Sequence, residues 1–380
     1  MNRRDFIITA AIGGGVALCP KLIFPQSQPE SGKNASGDPP LDLDDHHPAK
    51  YYQKLEHGIV ECHLCPRKCK VSDLERGYCG VRENVGGEYY ILVYGKVCSA
   101  NIDPIEKKPF FHFHPGTTAF SIATAGCNMN CKFCQNWNIS QFRPEDVEFS
   151  RISPADCVKI ARRNDCPTIA YTYSEPTIFY EYMYDCAIEG RKHGLKSAVV
   201  SAGYIEKEPL LDLIPKVDAI KIDLKAFTES YYKDIVNGQL QPVLDTLVTI
   251  HNSDVWLEIV YLMLPGLNDS KQEINELCNW LLANLGPDVP IHFTRFHPFY
   301  LMKNLPSTPI DSLERAHDIA KAKGIHYPYI GNVYGHDAEN TYCHHCGKLI
   351  IGRRGFQITA NNLDHGKCPS CQTIIPGVWI

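Results

Sequence analysis

The chain has 380 residues, of which 44% are hydrophobic and 21% charged. This length corresponds to two or three domains and can bury a large core, which excludes a small protein held together by disulfides. The formal net charge of −5 does not indicate general affinity for nucleic acid or for membrane surfaces. The 17 cysteines are the unusual feature, because an average enzyme of this size has far fewer.

The N-terminus has the features of an export signal. Arg3 and Arg4 precede an apolar stretch, 7–18, that is too short to cross a membrane as a helix. Residues 1–19 thus resemble a twin-arginine signal, with a cytoplasmic location as the alternative. Residues 20–57, rich in Pro, Ser, Gly and Asp, are predicted to form a disordered linker. We expect no integral membrane span.

Eleven cysteines fall in three clusters, and the other six are predicted to be ordinary buried residues. We name the clusters the N-terminal four (Cys62, Cys65, Cys69, Cys79), the central three (Cys127, Cys131, Cys134) and the C-terminal four (Cys343, Cys346, Cys368, Cys371). Cysteines spaced this closely bring thiolates together around a metal ion or a cluster, whereas a disulfide scaffold spreads its cysteines along a short chain.

Secondary-structure patterns divide the rest of the chain into three parts. Residues 58–115 form a Cys-rich metal-binding region, 116–335 a core, and 336–380 a small C-terminal domain. In the core, six apolar strands alternate with helices, and they are predicted at 119–124, 168–172, 196–201, 219–223, 255–262 and 291–296. Six βα units with right-handed crossovers predict an α/β fold of the partial (β/α)6 kind, an open barrel similar to a TIM barrel.

The central three follow the first predicted strand with the spacing Cys-x3-Cys-x2-Cys, and an aromatic residue precedes the last cysteine. Three thiolates can hold three irons of a [4Fe–4S] cluster and leave the fourth iron open to a ligand that carries an amine and a carboxylate. The pattern resembles that of the radical SAM superfamily. The alternative from the residues alone is a zinc site with His112 or His114 as its fourth ligand.

The resemblance implies a chemistry. Such enzymes reduce the cluster by one electron, supplied by a donor of the flavodoxin or ferredoxin type, and pass it to S-adenosylmethionine (SAM). Cleavage gives methionine and a 5′-deoxyadenosyl radical that abstracts hydrogen from a substrate. The protein supplies orientation, electron access and exclusion of water.

The resemblance also implies residues that bind the cofactor at the ends of later strands. Glu175 corresponds to the acidic residue of the superfamily's Gly-Gly-Glu segment, which receives the methionine amino group, although both glycines are absent here. Ser201, Asp223 and Lys225 lie in segments that resemble those of pyruvate formate-lyase activating enzymes, and His297 could face SAM or substrate. The alternatives are a solvated acid for Glu175, a helix cap for Asp223 and a structural role for His297.

Motifs outside the core narrow the resemblance. Cys-His-Leu-Cys-Pro-Arg-Lys-Cys at 62–69, Gln-Asn-Trp at 135–137 and Pro-Gly-Val-Trp at 376–379 together resemble the AmmeMemoRadiSam system radical SAM enzyme. That family implies a Memo-type and an AMMECR1-type protein as partners. Within the superfamily, a glycyl-radical enzyme activase is the alternative. From another class, a non-catalytic iron–sulfur or zinc protein for electron transfer or binding is the rival, although the acidic balance argues against nucleic acid.

The outer cysteines predict two further metal sites. In the C-terminal four, two Cys-x2-Cys pairs have zinc-ribbon spacing, which predicts a structural zinc ion. The N-terminal four could bind zinc or a second iron–sulfur cluster, and disulfides are the alternative if the chain is exported.

Overall fold

The structure, a computed structural model, describes residues 46–379. The predicted export signal, 1–19, and the predicted linker as far as residue 45 lie outside the described residues. No helix within the described part is both long and apolar enough to cross a membrane.

Six short strands form the N-terminal Cys-rich region: β1 (His47–Pro48), β2 (Tyr52–Lys54), β3 (Val60–Cys62), β4 (Lys70–Val71), β5 (Arg82–Val85) and β6 (Glu88–Ile91). They make two small antiparallel sheets, ordered β2-β3-β4 and β1-β6-β5. Strands β1 and β2 fall inside the range 20–57 that the composition predicted as linker. The last part of the predicted linker range therefore contributes one strand to each small sheet.

The chain continues through β7 (Lys96–Val97), β8 (Ser99–Pro104), β9 (Thr118–Ala123), β10 (Ser150–Arg151), β11 (Thr168–Tyr171), β12 (Lys196–Ser201), β13 (Ala219–Asp223), β14 (Trp256–Met263), β15 (Ile291–Arg295) and β16 (Pro328–Gly331). β7 and β10 pair with each other, and the other eight form the core sheet in the order β16-β15-β14-β13-β12-β11-β9-β8.

The core sheet has more strands than predicted. All six expected strands are present and parallel, but β16 adds a seventh parallel strand and β8 pairs antiparallel with β9 at the other edge. The (β/α)6 prediction was therefore short by one parallel strand, and its core began too late at residue 116. Both missed strands have weak sequence signals: β16 has only four residues, and β8 is polar and half-buried, as is typical of an edge.

Eight helices accompany these strands: α1 (Trp137–Ser140), α2 (Pro154–Arg163), α3 (Tyr180–Lys192), α4 (Lys207–Leu213), α5 (Glu229–Tyr231), α6 (Leu240–His251), α7 (Lys271–Leu285) and α8 (Ile310–Lys323). Ser153 and Ser270 cap α2 and α7 by accepting the backbone amides of the residues three positions on. Gly324 ends α8 in the left-handed conformation, with φ of 100°. Helices α2, α3, α6 and α8 pack against strands of the core sheet.

The C-terminal region is a three-stranded antiparallel sheet made of β17 (Thr341–Tyr342), β18 (Leu349–Arg354) and β19 (Gln357–Asn361). Its docking to the core is polar and buried. Arg353 is 4% exposed and donates through Nη2 to the carbonyl of Phe111 at 2.7 Å and through Nη1 to the hydroxyl of Thr341 at 2.7 Å. Glu258 of β14 accepts the backbone amides of Phe111 and His112. This network fixes the segment after β8 between the core and the C-terminal sheet.

Candidate active site

The loop that carries the central three begins directly after β9 and is anchored along its length. Gly126 has φ of 96°, and its amide donates to the carbonyl of Ile139 at 2.9 Å. Asn130 and Lys132 donate to the carbonyls of Val236 and Ile235, both at 3.0 Å. The loop therefore holds its sulfur atoms in place through backbone contacts on both sides.

All of the central three line one cavity of about 510 Å³ at the carboxyl ends of the core strands, which we call the central cavity. Its volume is in the range of small-molecule sites. Burial raises the pKa of Cys131 to about 12 and raises that of Cys127 well above its usual value, so a metal centre that binds these sulfurs as thiolates must displace their protons. No further cysteine lines the cavity in the described part of the chain. Three sulfurs facing an open space fit a [4Fe–4S] cluster with one free iron.

Glu175 lies in the wall of the central cavity and is 3% exposed, so it is not a solvated loop acid. Its Oε1 accepts the hydroxyl of Ser201 at 2.6 Å and the amide and hydroxyl of Thr177 at 3.0 and 2.8 Å. Its Oε2 accepts only the amide of Ala202, at 2.8 Å. The second oxygen thus has capacity for one more donor, as a ligand ammonium group would supply.

The segment before Glu175 has the backbone of a glycine-containing turn without a glycine. Tyr173 has φ of 64°, a left-handed conformation that side chains seldom adopt. Its carbonyl accepts Nδ2 of Asn136 at 2.9 Å, and its hydroxyl donates to Asp103. Contacts of its carbonyl and of its hydroxyl therefore hold Tyr173 in this conformation.

Asp223 sits between two lysines at the end of β13. Its carboxylate is hydrogen-bonded to Nζ of Lys221 and, at 3.1 Å, to Nζ of Lys225. Burial alone would raise the pKa of Asp223, but the two ammonium groups outweigh it and lower the pKa to about 2. All three side chains line the central cavity, and Asp223 does not cap a helix there. The group presents one net positive charge to a ligand.

Two predicted roles do not match the positions of the histidines. His297 is absent from the described lining of the central cavity, and its Nδ1 bonds to Ser307 at 3.2 Å, which favours the structural alternative. His112 uses both ring nitrogens, at 2.6 Å to the carbonyl of Pro376 and 2.6 Å to the hydroxyl of Tyr329. It cannot also serve as a zinc ligand beside the central three.

The structure adds cavity residues that the motifs did not reveal. Lys108 is 3% exposed, pairs with Asp103 and lies 3.3 Å from the hydroxyl of Tyr173. Burial lowers the pKa of Lys108 to about 8 against the opposing effect of Asp103. Phe356, from the C-terminal sheet, closes another part of the wall. Lys221 could have been found, because it shares a strand face with Asp223 two residues on.

The C-terminal four form a compact sulfur cage. The sulfur atoms of Cys343 and Cys371 are 3.6 Å apart, as are those of Cys346 and Cys368, and all four lie within 4.8 Å of one another. Tetrahedral zinc with bonds of about 2.3 Å needs sulfur–sulfur distances of about 3.8 Å. The sulfur of Cys371 lies 3.2 Å from the hydroxyl oxygen of Thr373, and the hydroxyl and backbone amide of Thr373 lower the pKa of Cys371 to about 5. The donor set and its spacing fit a zinc ion.

The N-terminal four also come together. All of them line one small cavity between the N-terminal sheets and the core. No two cysteines form a disulfide within residues 46–379, so the disulfide alternative has no support in the described structure.

Comparison with known proteins agrees with this site. Residues 121–281 match the radical SAM superfamily. The uncharacterized protein MJ0808 of Methanocaldococcus jannaschii is 45% identical over 316 residues, which cover 83% of this chain and 94% of the relative. The pyruvate formate-lyase-activating enzyme of Clostridium pasteurianum is 22% identical over 47% of this chain and 75% of its own. The crystal structure of a radical SAM methyltransferase from Sphaerobacter thermophilus has a TM-score of 0.43 at 18% identity, over 62% of this chain and 71% of its own.

The open parallel sheet with three cysteines after its first parallel strand defines a radical SAM protein. The chain belongs to the radical SAM superfamily and shares a family with the M. jannaschii protein. Membership implies an enzyme that uses a [4Fe–4S] cluster, SAM and a reductant, rather than a non-catalytic iron–sulfur or zinc protein.

Proposed function

We propose that the central three hold the [4Fe–4S] cluster and that SAM binds between it and Glu175 in the central cavity. The observation that carries this proposal is the shared wall: the three sulfurs and the carboxylate face one space of about 510 Å³. The cluster, when bound and reduced, supplies the electron that cleaves SAM to a 5′-deoxyadenosyl radical. Glu175 holds the amino group of SAM, and the hydroxyl of Ser201 orients Glu175 by donating a hydrogen bond to its Oε1.

The remaining wall of the cavity receives the substrate from which hydrogen is abstracted. Lys108, Lys221 and Lys225 place positive charge there, partly offset by Asp103 and Asp223. This charge favours a substrate with an acidic group, or the carboxylate of SAM itself, over a cationic one.

Within the superfamily, we propose that the chain acts in the AmmeMemoRadiSam system, with a Memo-type and an AMMECR1-type protein as partners. The motifs at 62–69, 135–137 and 376–379 support this assignment. The second candidate is a glycyl-radical enzyme activase, and similarity to the activating enzymes for pyruvate formate-lyase and benzylsuccinate synthase favours it.

Deuterium transfer distinguishes the two candidates. The reconstituted chain is incubated with dithionite and SAM beside deuterated Memo-type and AMMECR1-type proteins of the same organism, or beside a glycyl-radical enzyme. We expect deuterium in 5′-deoxyadenosine with the first set and no glycyl-radical signal by electron paramagnetic resonance with the second. A glycyl-radical signal that disappears when the glycine is changed to Ala would establish the activase instead.

Two further proposals concern location and electron supply. Arg3 and Arg4 support export of the folded chain through the twin-arginine pathway. A flavodoxin or a ferredoxin would supply the electron that reduces the cluster. Fractionation of the tagged native protein tests export. We expect wild-type protein outside the cytoplasm and retention of the variant with Arg3→Lys and Arg4→Lys, whereas purely cytoplasmic wild-type protein would contradict the proposal.

A further inference from the structure

We propose that the N-terminal four bind a second [4Fe–4S] cluster, and that they do not bind zinc. The starting observation is a contrast between two groups of four cysteines in one chain. The sulfurs of the C-terminal four all lie within 4.8 Å of one another, as zinc requires. Among the described residues, the N-terminal four do not meet this condition even for three of their sulfurs.

The N-terminal four instead line one small cavity. Its remaining wall combines Leu64, Tyr89 and Ile178 with polar and charged side chains. In a [4Fe–4S] cluster each thiolate binds a different corner of the cube, so the sulfurs stand farther apart than around one zinc ion, with inorganic sulfide and iron between them. Sulfurs that are separated but face one enclosed space fit a cluster.

A hydrogen bond prepares one of these sulfurs for a metal centre. The amide of Tyr78 donates to the sulfur of Cys69 at 3.4 Å. Backbone donors aimed at sulfur stabilise thiolates and tune iron–sulfur clusters.

The charge around the cavity also suits an anionic centre. Arg82 lines the cavity, is 1% exposed and is paired with Glu181 on its far side. Arg67 lines another part of the wall and donates through Nε to the carbonyl of Asn128 at 2.5 Å. Four thiolates around a cluster carry net negative charge, which the guanidinium of Arg67 partly offsets, while Glu181 already balances the charge of Arg82.

Sequence spacing is compatible with a cluster held by four cysteines. Cys62, Cys65 and Cys69 come from one short loop with the spacing Cys-x2-Cys-x3-Cys, and Cys79 follows after a turn. Three closely spaced cysteines plus a fourth at a distance occur in both two-iron and four-iron proteins, so the choice of the four-iron form rests on the sulfurs lining one cavity, and the iron count tests it. The central three have the reverse spacing, Cys-x3-Cys-x2-Cys, and lack the fourth cysteine. The N-terminal cluster would thus be fully ligated and unable to chelate SAM.

The two cysteine sets are neighbours. Asn128, which follows Cys127, lines the N-terminal cavity, as does Thr177, which bonds to Glu175 in the central cavity. A Cβ placed on Gly126 would lie 2.8 Å from the carbonyl oxygen of Cys79. The second cluster therefore borders the first through a single layer of chain.

Metal counting on the full chain, purified and reconstituted without oxygen, tests the inference. We expect about eight irons, about eight sulfides and about one zinc per chain. In the variant with all of the central three changed to Ala, about four irons should remain, with the Mössbauer spectrum of a [4Fe–4S] cluster. This variant leaves the N-terminal four intact, so the result does not depend on whether an N-terminal variant folds.

Three results would overturn the inference. They are a second zinc with no iron in the central variant, about two irons in that variant, and no metal beyond the C-terminal zinc. As a second arm, Cys69→Ala with Cys79→Ala should lose about four irons, while Cys166→Ala, a buried cysteine outside all three clusters, should lose none. Because the iron count in the central variant is independent of SAM cleavage, failure here and failure of the proposed function are distinguishable.

Discussion

Glu175 shows what the structure adds to a motif at the scale of a single residue. Its sequence context departs from the superfamily's Gly-Gly-Glu, and a solvated acid was an open alternative. Four hydrogen bonds and burial replace that alternative with a fixed carboxylate in the cavity wall. The glycine-like turn comes from Tyr173, whose hydroxyl reaches Asp103, 70 residues earlier. No local pattern could have predicted that contact.

The position of Glu175 gives the first prediction. Glu175→Gln removes the negative charge of the carboxylate. It also replaces one carboxylate oxygen, which accepts hydrogen bonds, with an amide nitrogen that can only donate. Since a hydrogen bond to a charged group contributes about 1.5–3 kcal/mol, the Kd for SAM should rise roughly 10- to 100-fold. Anaerobic calorimetry of the cluster-loaded chain measures it. Glu189→Gln, on the outer surface of α3, is the control, and an unchanged Kd in Glu175→Gln with full iron content would refute the role.

Gly126 gives the second prediction, because the steric contact that a side chain would make there can be separated from the backbone strain that it would cause. A Cβ there would lie 2.6 Å from Cγ1 of Val81 in addition to the strain of a left-handed backbone. Gly194 has φ of 76° and nothing within 4 Å of a Cβ, so Gly194→Ala measures the strain alone. We expect Gly126→Ala to lower the free energy of unfolding by about 1–3 kcal/mol more than Gly194→Ala. Equal losses in urea titrations would show that the contact with the N-terminal region is loose.

At the scale of elements, the sequence predicted what strong local patterns determine. The six apolar strands are confirmed, because each depends on residues close together in the chain. Strands β8 and β16 were missed, since pairing at the sheet edges rather than apolar content makes them strands. Local patterns also could not predict that Gly355 and Phe356 of the C-terminal region line the central cavity.

Because Gly355 and Phe356 of the C-terminal region line the central cavity, the third prediction is that loss of the C-terminal metal impairs the active site. Cys371→Ser should remove one zinc per chain, expose residues 336–379 to protease and lower SAM cleavage several-fold, because Phe356 would no longer hold its part of the wall. Metal analysis, limited proteolysis and product assay follow these effects. His365→Ala is the control, since His365 is exposed and is not one of the C-terminal four. Wild-type protein without zinc, or full activity in Cys371→Ser, would contradict the link.

At the scale of the whole molecule, the 17 cysteines divide by geometry as well as by sequence. Three face the central cavity, four lie close enough to share one metal ion, four line a second cavity, and four are buried as ordinary small residues: Cys157, Cys166, Cys186 and Cys278. Of the remaining two, Cys98 is half-buried and Cys19 lies outside the described residues. Spacing identified the sets, and the resemblance carried by the central three indicated the superfamily. Spacing could not choose between zinc and iron for the N-terminal four, because that choice depends on sulfur–sulfur distances across a folded loop.

The most direct test of the central claim is the yield of 5′-deoxyadenosine from SAM. The full chain is reconstituted with iron and sulfide, reduced with dithionite and assayed beside the variant with Cys127, Cys131 and Cys134 changed to Ala, with Cys166→Ala as the control. We predict 5′-deoxyadenosine and methionine in equal amounts from the wild type and the control, and neither from the triple variant. A wild type with an intact, reduced cluster that leaves SAM uncleaved would contradict the account.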